Sequence, residues 1–510
     1  MKLKKGTDGS VHLNINMKKI VLSAILIFVL NSNIQSPLIP VDRRITWSPG
    51  ITGGFPEINQ PIADIQNFGA DRTGQKDSYQ AIIKALKSLP ETGGVVFIPY
   101  GTYRIDSTIR ITRSNIVIRG ERSQIPKLLS YAKGNSIEIR PVVNSGKWLT
   151  LLSGYQKNAS AVIVENASDL KSARFIEIQQ ENDSLLMYTN PEWKQGWSEN
   201  SVGQLLEIDN ISGNTIALKS TLNINFFPRL KPLIRSVNMI INSGLEDLYI
   251  EKKEASGHTI YLEHAAYCRI KGIESYHTRR SHVSVSACLG NDIRENYFHH
   301  SFSYGGGGSG YGVECNLHST GTLVENNIFD SLRHAMMVQT GANGNVFAYN
   351  YSAHPVQGDG EVNLNQGWIP PDISIHGHYT FMNLFEGNHV SEIGIADYWG
   401  PAGPGNTFFR NKVIDEGIFY YDKTLRQNVI GNMTTTITCK DERSRDNIEL
   451  ANIVDNKLIN PVENLPNSLY KNKKPDFFGT VVWPVYGPDV KGDNKLPAQV
   501  RYEMIMKKNF

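Results

Sequence analysis

Four cysteines in 510 residues are few, and Cys268, Cys288, Cys315 and Cys439 form no C-x-x-C pair. A zinc or thioredoxin-like site is therefore not suggested, and the four suit small buried hydrophobes in a β core, although export would also permit disulfides. Charge of one sign is scarce too: 52 Lys and Arg against 49 Asp and Glu leave a net charge of +3. That balance offers nothing to hold nucleic acid or an anionic membrane. The apolar run Ile20 to Leu30 has eleven residues, too short for a helix across a bilayer, which needs about 20. Gly305 to Gly308 lacks the Lys-Ser/Thr pair and following helix of a phosphate loop, so it reads as a flexible rim.

What is present is turn-forming. The chain has 44 Gly and 23 Pro with abundant Asn, a composition of many turns rather than long helices. Lys18 and Lys19 ahead of the eleven-residue apolar run fit a signal peptide, so residues 1–36 are expected to be a signal region. Asn31 to Ser36 shows no Ala-x-Ala cleavage pattern, and Met17 just before the lysines raises a second start. A membrane-anchoring or buried segment is the alternative. The expectation is a monomer secreted to the exterior or periplasm, with no stable membrane insertion once the signal is removed.

A repeat organises the rest. Asp247, Gly272, Asn296, Asn326, Asn350, Asn388, Asn411, Asn432 and Asn456 occupy equivalent positions, at spacings of 25, 24, 30, 24, 38, 23, 21 and 24. Most follow a short β-branched or aromatic stretch, as in Phe408-Phe-Arg-Asn411. A period in the low twenties, with an Asn at each turn, predicts a β-solenoid over 236–460. Asn suits the turn because it tolerates left-handed backbone and its amide bonds neighbouring backbone or, between stacked coils, another amide. The two long spacings carry insertions, one around Ser303 to Gly310 and one from His354 to Pro371, on either side of a single regular coil. Insertions in a solenoid gather on one face, so these two are expected to flank one cleft.

Short strands Ala161 to Asn166, Arg174 to Ile178, Gln204 to Ile208 and Thr215 to Leu218 predict an inserted β subdomain over 158–225. Trp193 and Trp197 in its longest loop read equally as sugar-stacking rings or a packed aromatic pair. Residues 461–510, rich in Pro, Asn and Lys, read as an irregular strap.

Twelve of the thirteen histidines lie between His258 and His389, and histidine is the side chain best matched to proton transfer near neutral pH. Strand alternation predicts which groups reach the cleft. Val313, Cys315 and Leu317 are expected to face inward, and Glu314, Asn316 and His318 outward. Ile373 and Ile375 face inward, leaving Asp372, Ser374, His376 and His378 outward. Met337 and Gln339 point out, with Arg333 and His334 at the turn before them. Asp397, Tyr398 or Trp399 reaches the rim, and Arg280 joins Asn316, His318, Gln339 and Trp399 as a candidate substrate contact. The catalytic candidates are His376, His378, Arg333, His334, Tyr398, Glu314 and Asp372. His376 and His378 with Asp372 have strand spacing for a metal, but no cofactor is predicted; Ca2+ or another divalent cation is the alternative left open.

One segment carries a family resemblance. Asn67-Phe-Gly-Ala-Asp71, Ala81 to Leu86, Gly93-Gly-Val-Val-Phe-Ile-Pro-Tyr-Gly-Thr-Tyr103 and Asn115 to Glu121 resemble the opening of the rhamnogalacturonase/epimerase-like pectate lyase superfamily. The resemblance implies an all-β, right-handed parallel β-helix whose open end is capped by a helix near Ser78 to Leu89, with 62–157 forming the cap and first coils. It also implies a polysaccharide partner. The polygalacturonase signature is not intact: there is no Asn-Thr-Asp, no Asp-Asp on a cleft strand, and His376-Gly-His378 stands where Gly-His-Gly is the family form. The Arg269-Ile-Lys271 tripeptide precedes the His motif instead of following it. The calcium-dependent lyase pattern of several cleft Asp residues is also not evident. A lyase cleaving a uronate polysaccharide by β-elimination is the first expectation. A glycoside hydrolase using Glu314 with Asp372, or Asp359 and Glu361, is the second, and a non-catalytic glycan binder or an epimerase the third.

Overall fold

The computed structural model describes residues 38–143, 145–187, 196–356, 371–397, 399–421, 424–439 and 446–508. The chain divides into two units, Met1–Val41 and Asp42–Phe510, and the second carries every strand among the described residues. The expected signal region, Trp193, Asp359, Glu361 and Tyr398 lie outside the described residues, as does the side chain of Trp197.

Short parallel strands stack coil upon coil in three sheets. In the first, Ile293, Val324, Phe347, Phe385, Phe408 and Val429 stand in register. In the second, Tyr297–His299 pairs Ile328–Asp330, which pairs Tyr351–Ala353. In the third, Val283, Val313, Met336, Ile373 and Ile393 are aligned. Their inward side chains form one continuous core. Phe347, Phe385 and Phe408 stack within it at centroid distances of 5.0 and 5.2 Å. Burying each such ring stabilises the coil by about 1.5–3 kcal/mol.

The corner between the first and second sheets explains the repeat. Asp247, Gly272, Glu295, Asn326, Tyr349, Gly387, Arg410, Gly431 and Ala451 all take φ between 51° and 69°. The residue after each turns into the coil interior. From Asn296 onward it is an asparagine: Asn296, Asn327, Asn350, Asn388, Asn411, Asn432 and Asn452, all buried. From Asn296 to Asn432, each backbone N–H and side-chain amide donates to the Oδ1 of the asparagine one coil on, as in Asn350 to Asn388, both at 3.0 Å. This corrects four expected positions: Asp247 and Gly272 are left-handed residues, one before the interior position held by Leu248 and Ile273. Asn326 is the left-handed residue, with Asn327 in the ladder. Asn456 sits exposed in an antiparallel hairpin between Asn452–Val454 and Lys457–Ile459, and Asn452 takes its place. A second ladder, five residues upstream, runs Asn345, Asn383, Asn406, Gln427 and Asn447 at the other end of the first sheet.

The helix Tyr79–Ser88 buries Ala81, Ile82, Ala85 and Leu86 against the core of the first coils. Asp77 Oδ1 accepts from Tyr79 N at 2.9 Å, and Arg113 Nη2 donates to the carbonyls of Leu86 and Leu89 at its other end.

The insert is a closed antiparallel barrel, wider than the 158–225 expected. Leu149–Ser153 and Leu233–Val237 pair with one another and close it around Ala161–Val164, Phe175–Gln179, Gly203–Ser212 and Thr215–Leu218. The β-helix resumes beyond it, with Val117 in register with Gly244. The expected strap is irregular as far as a terminal helix, Pro497–Lys508, whose Ala498 and Tyr502 pack on Tyr297, Ile328 and Ala353 of the second sheet.

Candidate functional site

The outer face of the third sheet gathers the polar groups. Ser284, Glu314, Met337, Ser374 and Gly394 share one outward row, and Tyr311 pairs His334 at the buried starts of their strands. The alternation read from the sequence holds for Val313, Cys315, Ile373 and Ile375, which lie in the core. It fails at Leu317, which is 37% exposed, because the strand ends at Asn316 and the chain turns left-handed at Leu317 and His318. Met337 is outward in phase yet buried.

Glu314 is 2% exposed and lies 3.6 Å from the Nδ1 of His258. His258 stacks on Tyr261 at 5.5 Å, and its backbone N–H donates to Asn135 Oδ1. Among the described residues, neither His258 Nδ1 nor Glu314 Oε2 has a hydrogen-bond partner. Burial pushes the His258 imidazole down to about 4; the Glu314 charge opposes this, and Arg280 and Lys252 reinforce it. The ring is therefore neutral at neutral pH.

Beside this pair, the rings of Tyr311 and His334 are 5.1 Å apart, and those of His334 and His376 6.0 Å. His376 Nδ1 meets the Asp397 carboxylate, whose other oxygen accepts from Trp399 N at 2.9 Å. That contact fixes the proton on Nδ1 and leaves Nε2 as the basic nitrogen. Gly377, at φ 63°, permits the close approach of Trp399, because a Cβ there would stand 2.5 Å from the Trp399 Cβ. His334 Nδ1 donates to Pro371 O at 2.8 Å, and burial, with the charges of Arg333 and His376, holds this ring neutral. Burial pushes the Tyr311 phenol up to about 12; Arg333 opposes this, and Glu314 and Asp397 reinforce it. The guanidinium of Arg333 lies 6.0 Å from the Tyr311 ring and donates through Nη1 to Gly305 O at 2.8 Å. Its buried Nε has no partner among the described residues.

Glu314, Arg333, His334, His376 and Trp399 thus share one neighbourhood, with Arg280 exposed at its edge. Asn316 continues the outward phase, its amide 3.5 Å from Ser284 Oγ, and Gln339 is half-buried at the end of its strand. His378, expected on the outward strand face, lies in the turn after it at φ 54°, tilted against Trp399 at 5.7 Å.

Two further expected placements are corrected. Asp372 does not face Glu314: its oxygens accept from Ser352 Oγ at 2.7 Å and Ser391 N at 2.6 Å at a corner of the coil. Its burial raises its pKa to about 6, against those hydrogen bonds. His318 is held by the barrel, its Nδ1 2.7 Å from Glu177 Oε1 and its Nε2 2.8 Å from Asn200 O. Burial disfavours the Glu177 charge, but His318 and Arg235 together hold its pKa well below the carboxylate range. His318 anchors the insert to the β-helix instead of lining the cleft.

Sequence reasoning missed His258 and Tyr311. His258 precedes its strand by two residues, where alternation says nothing, and Tyr311 lies one residue before the segment to which alternation was applied. Their signal was the register between coils, visible only once strands are paired. Among the described residues no group of three His, Cys, Asp or Glu is arranged to hold a metal ion, and no helix is long and apolar enough to cross a membrane.

Comparison with known proteins bears on this architecture. The family model described as rhamnogalacturonase A/epimerase, pectate lyase-like, matches residues 62–173. The tailspike protein gp49 from Pseudomonas phage LKA1 is similar at a TM-score of 0.51 and 14% identity, over 73% of this chain and 64% of that one. The Pseudomonas phage phi297 tailspike gp61 gives 0.49 and 13%, over 72% and 64%. The catalytic unit of the GH87 α-1,3-glucanase from Streptomyces thermodiastaticus strain HF3-3 gives 0.35 and 12%, over 77% and 71%. The chain spans under two thirds of the length of either tailspike, and at these identities the likeness is one of fold. No curated protein matches the chain. Residues 62–173 are thus similar to the pectate lyase-like family model, and the likeness to gp49 is one of parallel β-helix fold.

Proposed function

We propose that this pectate lyase-like β-helix is an exported lyase that cleaves a uronate-containing polysaccharide by β-elimination at the third-sheet site. The observation that carries the reading is the buried guanidinium of Arg333, whose Nε has no partner among the described residues, in the cluster that holds the Asp397-bound His376. A guanidinium with a free donor suits a carboxylate, and neutralising the uronate carboxylate makes the adjacent C5 proton removable. His376 Nε2 takes that proton as the C4–O bond breaks, the C4=C5 double bond forms, and the departing oxygen receives a proton. Tyr311 suits the donor role, since its burial keeps the phenol protonated. Tyr398 is the alternative donor, outside the described residues.

A second reading, hydrolysis, is favoured by the unpartnered Glu314 Oε2. It requires a second carboxyl group, and the engagement of Asp372 by Ser352 and Ser391 leaves Asp397 for that role. Incubation with a panel of glycans separates the two. New reducing ends with absorbance of unsaturated uronates support the lyase; new ends without absorbance replace it with the hydrolase; neither signal sinks both.

A further inference from the structure

Around the corner from the site, on the second sheet, lies a strip of rings that the cleft chemistry does not use. Tyr276 and His277 stack at 3.8 Å, and His277 lies tilted against Phe302 at 4.9 Å. His299 lies 5.0 Å from Tyr276, and His300 meets Tyr276 edge-on at 5.5 Å. Phe302 is 38% exposed, and Tyr276, His277, His299 and His300 are each partly open to solvent. Tyr249, also partly open, stands in register with Glu274 one coil before. The strip therefore crosses three coils, about 10 Å at the spacing of strands in a sheet.

Its chemistry is specific. Its side chains are the rings of tyrosine, histidine and phenylalanine, with Tyr276 and His277 stacked on one another. Glu274 is 45% exposed, 3.4 Å from His299 Nε2, and Glu251 pairs Lys253 alongside. Burial holds His277 and His300 below the ordinary imidazole range, so both rings are neutral donors and acceptors at neutral pH. Flat apolar faces edged with hydrogen-bonding groups match a pyranose, which has C–H faces and an equatorial belt of hydroxyls. The strip is also continuous with the site. One loop carries Phe302 on the strip and, three residues on, the Gly305 carbonyl that holds Arg333. Gly308 of the same loop approaches Arg280, where a Cβ would stand 3.0 Å from Nη2.

We propose that Tyr276, His277 and Phe302 form a glycan-binding platform that holds a length of polysaccharide beyond the site bounded by Arg333. The proposal rests on the reading of the chain as polysaccharide-active, but not on the reaction being an elimination. The test is native electrophoresis through gels containing polygalacturonate, rhamnogalacturonan, alginate, hyaluronan or xanthan, in a His376→Ala background so that the polymer stays intact. The parent is retarded by at least one polymer. Phe302→Ser and the double variant His277→Ala/Phe302→Ser weaken that retardation roughly tenfold, while Phe302→Trp, which keeps a ring, retains it. On the His376 wild type, the same variants raise KM for the polymer and leave kcat, and the rate on short oligosaccharides, unchanged. That split separates a platform from a loop that merely positions Arg333. Full retardation of the double variant, or a parent that no polymer retards, overturns the proposal. The elimination reading is judged separately by product absorbance, so either can fall without the other.

Discussion

Replacing Asn388 with alanine tests the amide ladder at its centre. Asn388 is fully buried, and its Oδ1 accepts from Asn350 N and Asn350 Nδ2, both at 3.0 Å. Its Nδ2 donates to Phe347 O at 2.9 Å and Asn411 Oδ1 at 3.0 Å. Alanine deletes all four bonds, while Asn411 Oδ1 keeps the Asn388 backbone N–H. The Asn350 N–H is left without an acceptor, and the Asn350 amide keeps only its bond to Val324 O. A buried polar group orphaned in this way costs roughly 1–3 kcal/mol, so the two together cost about 2–6 kcal/mol. Asn456→Gly is the control: Asn456 was expected in the same ladder but is exposed in a hairpin at φ 62°, where glycine keeps the left-handed backbone without strain, and an exposed substitution costs within about 0.5 kcal/mol. Urea unfolding followed by circular dichroism gives both values. Equal denaturation midpoints for the two variants would falsify the ladder as a source of stability.

Three further outcomes are expected. His376→Ala lowers turnover on a validated substrate by at least about 10²-fold, the low end for loss of a general base, with the melting temperature unchanged; Asp397→Asn lowers it in the same direction, and near-wild-type rates in both would show the site to be misplaced. Asp372 has a folded pKa of about 6, raised from 3.8, so its contribution to stability is complete below about pH 4 and is lost as pH rises through 6. Asp372→Asn removes that dependence, so the drop in melting temperature from pH 4.5 to 7.5 is smaller in the variant; an unchanged slope counts against the assignment. His318→Ala leaves Glu177 buried without one of its two partners, at a cost of about 3–5 kcal/mol. Rate per folded molecule is unaffected, and a selective loss of kcat with full stability would return His318 to the cleft.

The period of the repeat was legible because every coil must return the chain by one strand spacing and turn at the same corner. Left-handed backbone and a buried amide are each demanded once per turn, and few residue types meet either demand. Periodicity therefore announced the β-helix, and the spacing of 30 announced the loop around Ser303 to Gly310, while most of the His354 to Pro371 insertion lies outside the described residues. Alternation placed Val313, Cys315, Ile373 and Ile375 in the core, since a side-chain period of two admits no other assignment within a strand. The same reasoning stops where a strand stops. It took Asn326 and Asn456 for ladder members because the left-handed residue and the amide after it are adjacent and both admit asparagine. It set the barrel's limits too narrowly because Leu149–Ser153 and Leu233–Val237 read as ordinary coil strands until they pair with one another. The environment of each candidate belonged to tertiary structure alone. Asp372 and Glu314 look alike on alternating strands, yet one is consumed by Ser352 and Ser391, and the other keeps an oxygen without a partner among the described residues. His318 and His376 look alike too, and only the docking of the barrel gives one to Glu177 and leaves the other to Asp397. Local sequence sets phase and turn because those are properties of neighbouring residues; which charges meet depends on contacts between residues 21 to 141 positions apart, which no local pattern encodes.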